Sequence, residues 1–240
     1  MTGAWRPLPR LVNRPGKPMN DRALALIPAF NEAGPIADVI RRAQPHVREV
    51  VVVDDGSTDE TSAVARAAGA TVLRHEVNRG KGAAIITGLN YLRQAPASYG
   101  VLLDADGQHD PGEIPGFIAL AKQTGAGVVI GSRMNDTHTM PALRLWTNQF
   151  MSWVTGQLAR QAIPDSQCGY RLLARAVLAD LQLVTTRFET ETEMLIQAGR
   201  AGHKIVSLPI RTIYKPGRVS RIQPGRDGVR FFKLVGKYWP

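Results

Sequence analysis

Short apolar runs alternate with helical stretches through the first half of the chain, and this alternation constrains the fold more than any other feature. The predicted strands are 24–27, 50–53, 71–74, 99–103 and 128–130. The predicted helices between them are 35–43, 81–93 and 114–123. A further helix, which Ser57 or Thr58 caps, follows the strand 50–53 and runs to Ala68. This order predicts an α/β fold with a mainly parallel sheet and helices on both faces. Ligands of such sheets bind outside the C-terminal ends of the strands.

The second half of the chain is less regular. It contains helical candidates at 141–161 and 188–200, a strand candidate at 205–214 and a terminal helix at 227–238. We expect a flexible basic N-terminal arm over residues 1–22, one domain over 23–224 and a basic amphipathic C-terminal helix over 225–240.

Positive charge is concentrated at the two ends of the chain, whose net charge is +10. Residues 200–240 carry ten Lys and Arg against one Asp, whereas residues 23–199 carry fifteen basic against eighteen acidic residues. Such a layout suits an anionic surface or anionic ligands. The single cysteine, Cys168, excludes an internal disulfide. Since no apolar run reaches 18 residues and no signal-peptide core is present, we expect a cytoplasmic protein without a transmembrane helix.

Two carboxylates, Asp104 and Asp106, follow the predicted strand 99–103 directly, with Gln108 two residues further on. Hard oxygen ligands in this arrangement suit Mg²⁺ or Mn²⁺ that bridges phosphate groups. A solvated Asp-Gly turn is the competing interpretation for the pair taken alone.

Four more polar clusters stand at predicted strand or loop ends, at 28–32, 54–59, 78–82 and 131–133. An acidic side chain there can accept hydrogen bonds from a base or a ribose, and Arg133 can neutralise phosphate oxygens. Together the clusters predict a nucleotide-diphosphate site. The turn around Lys81 lacks the spacing of a phosphate-cradling loop, and alone it is more typical of a helix entry with a solvated lysine.

These motifs, in this order, resemble the family 2 glycosyltransferases, and within them the dolichyl- and polyprenyl-phosphate sugar synthases. The resemblance extends through 165–171, Phe188-Glu189 with Glu191, and 220–222. It implies a GT-A fold, a nucleotide-sugar donor and inversion at the anomeric carbon.

The resemblance also implies a role for individual residues. Asp55 would contact the nucleobase, with Pro28 and Glu32 beside it, and Lys81 would belong to the donor site. Asp104 and Asp106, joined by Gln108, would hold the divalent metal. Asp165 would stand near the acceptor as a base or an orienting group, and Asp106 and Arg133 would act in catalysis with it. The phosphates of donor or acceptor would be held by four arginines: Arg133, Arg171, Arg218 and Arg221.

A lipid-phosphate acceptor implies contact with a membrane surface, on the inner face of the cytoplasmic membrane. Two segments could provide it. The helix 141–161 carries Leu143, Trp146, Phe150, Trp153, Val154 and Leu158 near one face, and the terminal helix carries the basic stripe Arg226, Arg230, Lys233 and Lys237. For each segment, an ordinary core-facing helix is the competing interpretation.

Three other functions stay open at this point. They are the same chemistry on a soluble acceptor, a nucleotidyltransferase, and a basic nucleic-acid-binding module. The acidic middle of the chain, with no aromatics interleaved on a basic sheet, argues against nucleic acid as a partner.

Overall fold

The computed structural model describes residues 23–134, 142–211, 213 and 224–239. The seven strands in these ranges are β1 (Ala23–Ala29), β2 (Glu49–Asp54), β3 (Thr71–Arg74), β4 (Tyr99–Leu102), β5 (Val128–Ser132), β6 (Arg171–Ala174) and β7 (Ile205–Pro209). The α-helices are α1 (Ile36–Ala43), α2 (Thr61–Ala67), α3 (Lys81–Gln94), α4 (Ile114–Thr124), α5 (Ala142–Ala159), α6 (Arg175–Asp180), α7 (Glu189–Arg200) and α8 (Pro224–Tyr238). The predicted arm 1–22, Arg218 and Arg221 lie outside the described residues.

The strands form one mixed sheet in the order β3-β2-β1-β4-β6-β5-β7. All neighbouring pairs are parallel except those of β6, which runs antiparallel between β4 and β5. β1 and β2 are buried almost throughout, because helices cover both faces of the sheet and leave no solvent-facing side for polar residues. The predicted α/β class is therefore confirmed.

The C-terminal ends of β1, β2, β3, β4 and β5 lie along one edge of the sheet. The register places Ala29 beside Asp54, and Leu26 beside Leu102 at the end of β4. The loops that follow these strands contain the predicted polar clusters, so the chain brings them together as the parallel topology requires.

Several local predictions need correction. Neither β6 nor α6 was predicted, and the strand expected over 205–214 ends at Pro209. Ser57 and Thr58 do not cap α2, which begins at Thr61; instead, Asp59 accepts from the backbone nitrogen of Thr61 at 3.0 Å.

A second, smaller core joins α5, α7 and α8. Its buried members are Val154, Leu158, Ile196, Phe231 and Leu234. The single apolar face predicted for α5 is thus divided, because Val154 and Leu158 pack inward while Leu143, Trp146 and Trp153 are exposed. In the described ranges, no helix has the length and apolarity needed to cross a membrane.

Candidate active site

Lys81 connects three elements at the C-terminal edge of the sheet. It is the first residue of α3, and its ammonium lies 2.7 Å from Asp104 Oδ1 in the loop after β4. It also lies 3.1 Å from Oε2 of Glu191 in the first turn of α7. The lysine is therefore held between two carboxylates. It does begin a helix, as predicted, but the expectation that its side chain is solvated is wrong.

The charges in this cluster stabilise one another. Burial alone would lower the pKa of Lys81, but the nearby Asp104 and Glu191 raise it above its ordinary value. Burial would raise the pKa of Asp104, but the charge of Lys81 outweighs it, with smaller contributions from His109 and Arg133, and lowers that pKa to about 2. At neutral pH the structure thus presents an ionised carboxylate beside a fixed cation.

The donor set around Asp104 fits a divalent ion. A Cβ atom built on Gly169 would lie 2.9 Å from Asp104 Oδ2 and 3.1 Å from Glu191 Oε1, so these carboxylate oxygens border a space that only glycine leaves open. Asp106 Oδ1 accepts from the backbone nitrogen of Gln108 at 2.9 Å, which fixes the turn between them. The described residues contain no group of three His, Cys, Asp or Glu side chains arranged to hold a metal. A site in which two carboxylates and the oxygens of a diphosphate together bind the metal is compatible with Mg²⁺ or Mn²⁺.

His109 contacts the backbone of the loop that contains Asp104 and Asp106. Its Nδ1 accepts from the backbone nitrogen of Asp104 at 3.4 Å, and its ring stacks on Tyr170 with 5.1 Å between centroids. Burial lowers the pKa of His109, which keeps the ring neutral and allows Nδ1 to accept.

Arg133 and Asp165 form a second ion pair near the loop that contains Asp104. Arg133 follows β5 directly, and its guanidinium donates to both oxygens of Asp165. Although burial alone would lower it, the pKa of Arg133 is raised by this carboxylate, so the arginine stays charged. Its position leaves Arg133 14% exposed, whereas Asp165 is fully buried.

Arg171 has a different place from the predicted one. It is completely buried at the start of β6, and it donates to the backbone carbonyls of Cys168, Glu191 and Ser166. The prediction that Arg171 holds a phosphate is corrected by these contacts, because all of them stabilise the protein backbone beneath the site.

The residues predicted around the nucleobase also lie at this edge. Pro28 is buried within β1, and the backbone nitrogen of Glu32 donates to Thr61 Oγ1 at 2.8 Å. Asp55 is 2% exposed, and its oxygens accept from the backbone nitrogens of Arg79 and Gly80 and contact His75. A base contact by Asp55 would share oxygens that already hold the loop 75–80.

Two residues of the site were not among the predicted site residues. Glu191 completes the cluster around Lys81, and only the family resemblance had drawn attention to its position. His75 was not predicted as a site residue, and no spacing signal marks it, because its partner Asp55 lies in the loop after another strand, β2.

Comparison with protein families gives one match that covers most of the chain: the family described as Glycosyl transferase family 2 matches residues 25–181. A relative in Methanococcus voltae, named UDP-N-acetylglucosamine–dolichyl-phosphate N-acetylglucosaminyltransferase, is 32% identical over 85% of this chain and 90% of its own length. The polyprenol monophosphomannose synthase of Mycolicibacterium smegmatis is 29% identical over 89% of this chain and 86% of its own length.

Solved structures share the fold at lower identity. The glucosyl-3-phosphoglycerate synthase of Mycobacterium tuberculosis, in complex with Mn²⁺, uridine diphosphate and glucosyl-3-phosphoglycerate, superposes with a TM-score of 0.65. The two are 22% identical, and the match covers 97% of this chain and 86% of the other. The seven-stranded mixed sheet described above is therefore of the GT-A type.

Proposed function

The chain belongs to glycosyl transferase family 2, and we propose that it transfers a sugar from a nucleotide-diphosphate donor to a polyprenyl phosphate, with a divalent metal and with inversion. Membership of this family sets aside the nucleotidyltransferase and nucleic-acid-binding interpretations. The observation that carries the proposal is the cluster of Lys81, Asp104 and Glu191 at the C-terminal edge of a parallel sheet. Such a cluster suits a donor whose diphosphate arrives with a metal ion.

In the proposed reaction, an acceptor phosphate oxygen attacks the anomeric carbon while the bond to the donor diphosphate breaks. Asp104 and Asp106, with Gln108, would hold Mg²⁺ or Mn²⁺, which stabilises the negative charge that develops on the leaving diphosphate. Lys81 and Arg133 add fixed positive charge on the same side of the sheet. Because a phosphate acceptor is already anionic near neutral pH, positioning matters more than removal of a proton.

Asp165 is proposed to orient Arg133 rather than to act as a base. Both of its oxygens accept from the guanidinium, and its carboxylate has no exposed surface. The resemblance left two roles for Asp165 open, a base and an orienting group, and this arrangement supports the orienting role. Arg218 and Arg221, which lie outside the described residues, stay proposed phosphate ligands.

The lipid acceptor is supported by an exposed apolar surface. Among the described residues, six large hydrophobic side chains are exposed on or beside two packed helices, and we call them the aromatic surface: Leu143, Trp146, Trp153, Val229, Phe232 and Trp239. Exposed basic residues of α8 accompany them, including Arg226 and Lys233. Aromatic and basic side chains together suit an anionic bilayer, so we propose a peripheral position on the inner face of the cytoplasmic membrane.

A soluble acceptor is the second candidate. It is favoured by the fold match to the glucosyl-3-phosphoglycerate synthase, whose complexes include phosphoglyceric acid. The two relatives described above have names that refer to a dolichyl phosphate and to a polyprenol monophosphate sugar, and they support the first candidate.

A donor and acceptor panel tests the proposal. UDP- and GDP-sugars would be offered with Mn²⁺ or Mg²⁺, and with either a short polyprenyl phosphate or 3-phosphoglycerate, while release of nucleoside diphosphate is measured. We expect turnover with the lipid phosphate and several kcal/mol of lost transition-state stabilisation in Asp106→Asn. Turnover with phosphoglycerate alone would establish the soluble acceptor, and full activity in EDTA would contradict the metal assignment.

A further inference from the structure

His75 bridges two elements that flank the candidate donor site. It follows β3 directly, and its Nδ1 lies 2.6 Å from Asp55 Oδ1, beyond the end of β2. Its Nε2 lies 2.9 Å from Oγ1 of Thr87, in the second turn of α3. The side chains of His75 and Asp55 are only 7% and 4% exposed, so both contacts are protected from water.

Asp55 also accepts hydrogen bonds from the backbone of the same loop. Oδ1 also accepts from the backbone nitrogen of Arg79 at 2.9 Å, and Oδ2 accepts from that of Gly80 at 2.7 Å. Gly80 has a φ of +103°, and a Cβ there would lie 2.5 Å from the carbonyl oxygen of Thr186. The loop is thus held at its start by His75 and at its end by Asp55, in a conformation that other residues could not adopt there without strain.

The end of this loop determines where Lys81 stands. Lys81 follows Gly80 and reaches Asp104 at 2.7 Å and Glu191 at 3.1 Å. Because a hydrogen bond or ion pair weakens steeply as its geometry departs from the optimum, the loop must be fixed closely for both contacts to form. Thr87 ties His75 to the same helix that Lys81 begins, which fixes the helix against the loop from a second point.

We propose that His75 is a positioning residue for the donor: together with Asp55, it holds the loop 75–80 so that Lys81 stands ready for the donor diphosphate. The proposal rests on the function proposed above. A carboxylate can only accept, so Nδ1 carries the proton toward Asp55, and in the neutral ring Nε2 accepts from the hydroxyl of Thr87. His75 therefore acts through the loop and touches no reacting atom.

The side-chain chemistry offers a matched pair of variants. His75→Asn keeps a donor near the position of Nδ1 and can still reach Asp55, whereas His75→Gln places its amide near Nε2 and loses that contact. His203→Ala is the control, since its Nε2 makes a similar 2.7 Å contact with Asp180 in a pair that does not touch the loop.

Two measurements on the full chain test the proposal. Hydrogen exchange of the Arg79 and Gly80 amides, without ligand, reports whether the loop is held. Calorimetric binding of UDP and GDP with Mn²⁺ reports the consequence for the donor. We expect faster exchange at both amides and roughly tenfold weaker nucleotide binding in His75→Ala and His75→Gln, smaller changes in His75→Asn, which loses only the Thr87 contact, and near wild-type values in His203→Ala.

In the transfer assay, the donor KM should rise more than kcat falls, because the loop holds ground state and transition state alike. If His75→Gln behaves like His75→Asn, or if exchange and binding are unchanged in both, the proposal is overturned. If the wild-type chain binds neither nucleotide, the proposed function fails, while the exchange measurement still decides whether His75 holds the loop. If His75→Ala does not fold, the comparison of Asn with Gln decides in its place.

Discussion

The guanidinium of Arg133 and the carboxylate of Asp165 form a bidentate pair at the candidate active site. Nε of Arg133 lies 2.8 Å from Oδ2 of Asp165, and Nη2 of Arg133 lies 2.9 Å from Oδ1 of Asp165. The backbone nitrogen of Arg133 also donates to Oδ2, at 3.1 Å. The planar fork is thereby fixed in direction, and 14% of the Arg133 side chain remains exposed.

Asp165→Asn should destabilise the fold as well as slow transfer. Removing one partner of a buried ion pair leaves the other charge without compensation, which typically costs about 3–5 kcal/mol of the free energy of unfolding. Urea unfolding would measure this cost. Asp227→Asn is the control, because its pair with Arg230 on α8 is more exposed and should change the stability by about 1 kcal/mol or less. An Asp165→Asn variant as stable as wild type would contradict the contribution of this ion pair to folding.

Lys81→Met should lower the stability of the metal-free protein by about 1–3 kcal/mol, because Asp104 and Glu191 would then face each other without a cation. Added Mn²⁺ should restore part of the loss, since it supplies the missing positive charge. Thermal unfolding with and without Mn²⁺ would measure both effects, and Lys204→Met, at an exposed contact with the Thr124 carbonyl, is the control. Equal melting temperatures for Lys81→Met and wild type would contradict the cluster.

The pH dependence of this difference has a definite sign. The folded-state pKa of Asp104 is lowered from 3.8 to about 2, chiefly by Lys81 acting against burial. The ion pair thus contributes stability that is fully present above pH 3.8 and is lost as the pH falls through about 2. Wild type and Lys81→Met should therefore converge in stability over that window.

Part of the fold follows from local sequence, and part does not. β1 and β2 are long apolar runs, and such runs predict buried strands wherever they occur. β6 has four residues, begins with Arg171 and is a strand because it fits between β4 and β5, where Tyr99 pairs with Ala174 and Val128 with Leu173. This pairing is a property of the whole sheet, and no local pattern carries it.

The site shows the same division. The carboxylates at 104 and 106 could be predicted because acids that end an apolar strand have a known place in a parallel sheet. The sequence shows that Arg171 is charged, but only the fold shows that three backbone carbonyls surround it. The partners of Lys81 and His75 come from distant segments of the chain, and local sequence does not show them. The glycine spacing around Lys81 therefore suggested a solvated lysine, whereas the structure places its ammonium between two carboxylates.

Glu193→Gln should destabilise the chain most at neutral pH. The carboxylate of Glu193, fully buried on α7, accepts from the backbone nitrogens of Val184 and Thr185 and from Lys237 and Tyr238 near the end of α8. Although burial would raise the pKa of Glu193, hydrogen bonds, first that from the Thr185 backbone, lower it below 4.5. Its stabilising contribution is thus present above pH 4.5 and lost as the pH falls below that value.

The expected loss for Glu193→Gln is about 1–3 kcal/mol at pH 7, measured by urea unfolding at several pH values. Glu60→Gln, an exposed residue before α2, is the control and should change little. A difference between wild type and Glu193→Gln that persists or grows toward pH 3 would contradict the hydrogen-bonded, ionised state of Glu193.

Binding to anionic vesicles should depend on the aromatic surface. Trp146 and Trp153 are each 62% exposed on α5, and the ring of Phe150 between them lies 5.6 Å from Trp146 and 6.4 Å from Trp153. Phe231 and Leu234 of α8 are buried in the smaller core, which leaves Phe232 and Trp239 to face outward. The proposed membrane contact would therefore involve both α5 and α8, the two segments that the sequence suggested for it.

Trp146→Ser with Trp153→Ser should weaken binding to vesicles of phosphatidylglycerol and phosphatidylcholine by tenfold or more, because both side chains would otherwise leave water for the interface. Lys233→Gln should cost about 1 kcal/mol at low salt and less as salt rises, since the attraction of a basic residue to an anionic surface is screened. Val184→Ser, which removes an exposed apolar side chain outside the aromatic surface, is the control and should bind like wild type. Co-sedimentation over a salt series would measure all four proteins.

Because the substituted side chains are exposed, the fold should survive, and nucleotide binding by the double tryptophan variant would confirm it. Wild-type affinity in that variant, or a wild-type chain that ignores anionic vesicles at low salt, would favour the soluble acceptor over the lipid phosphate.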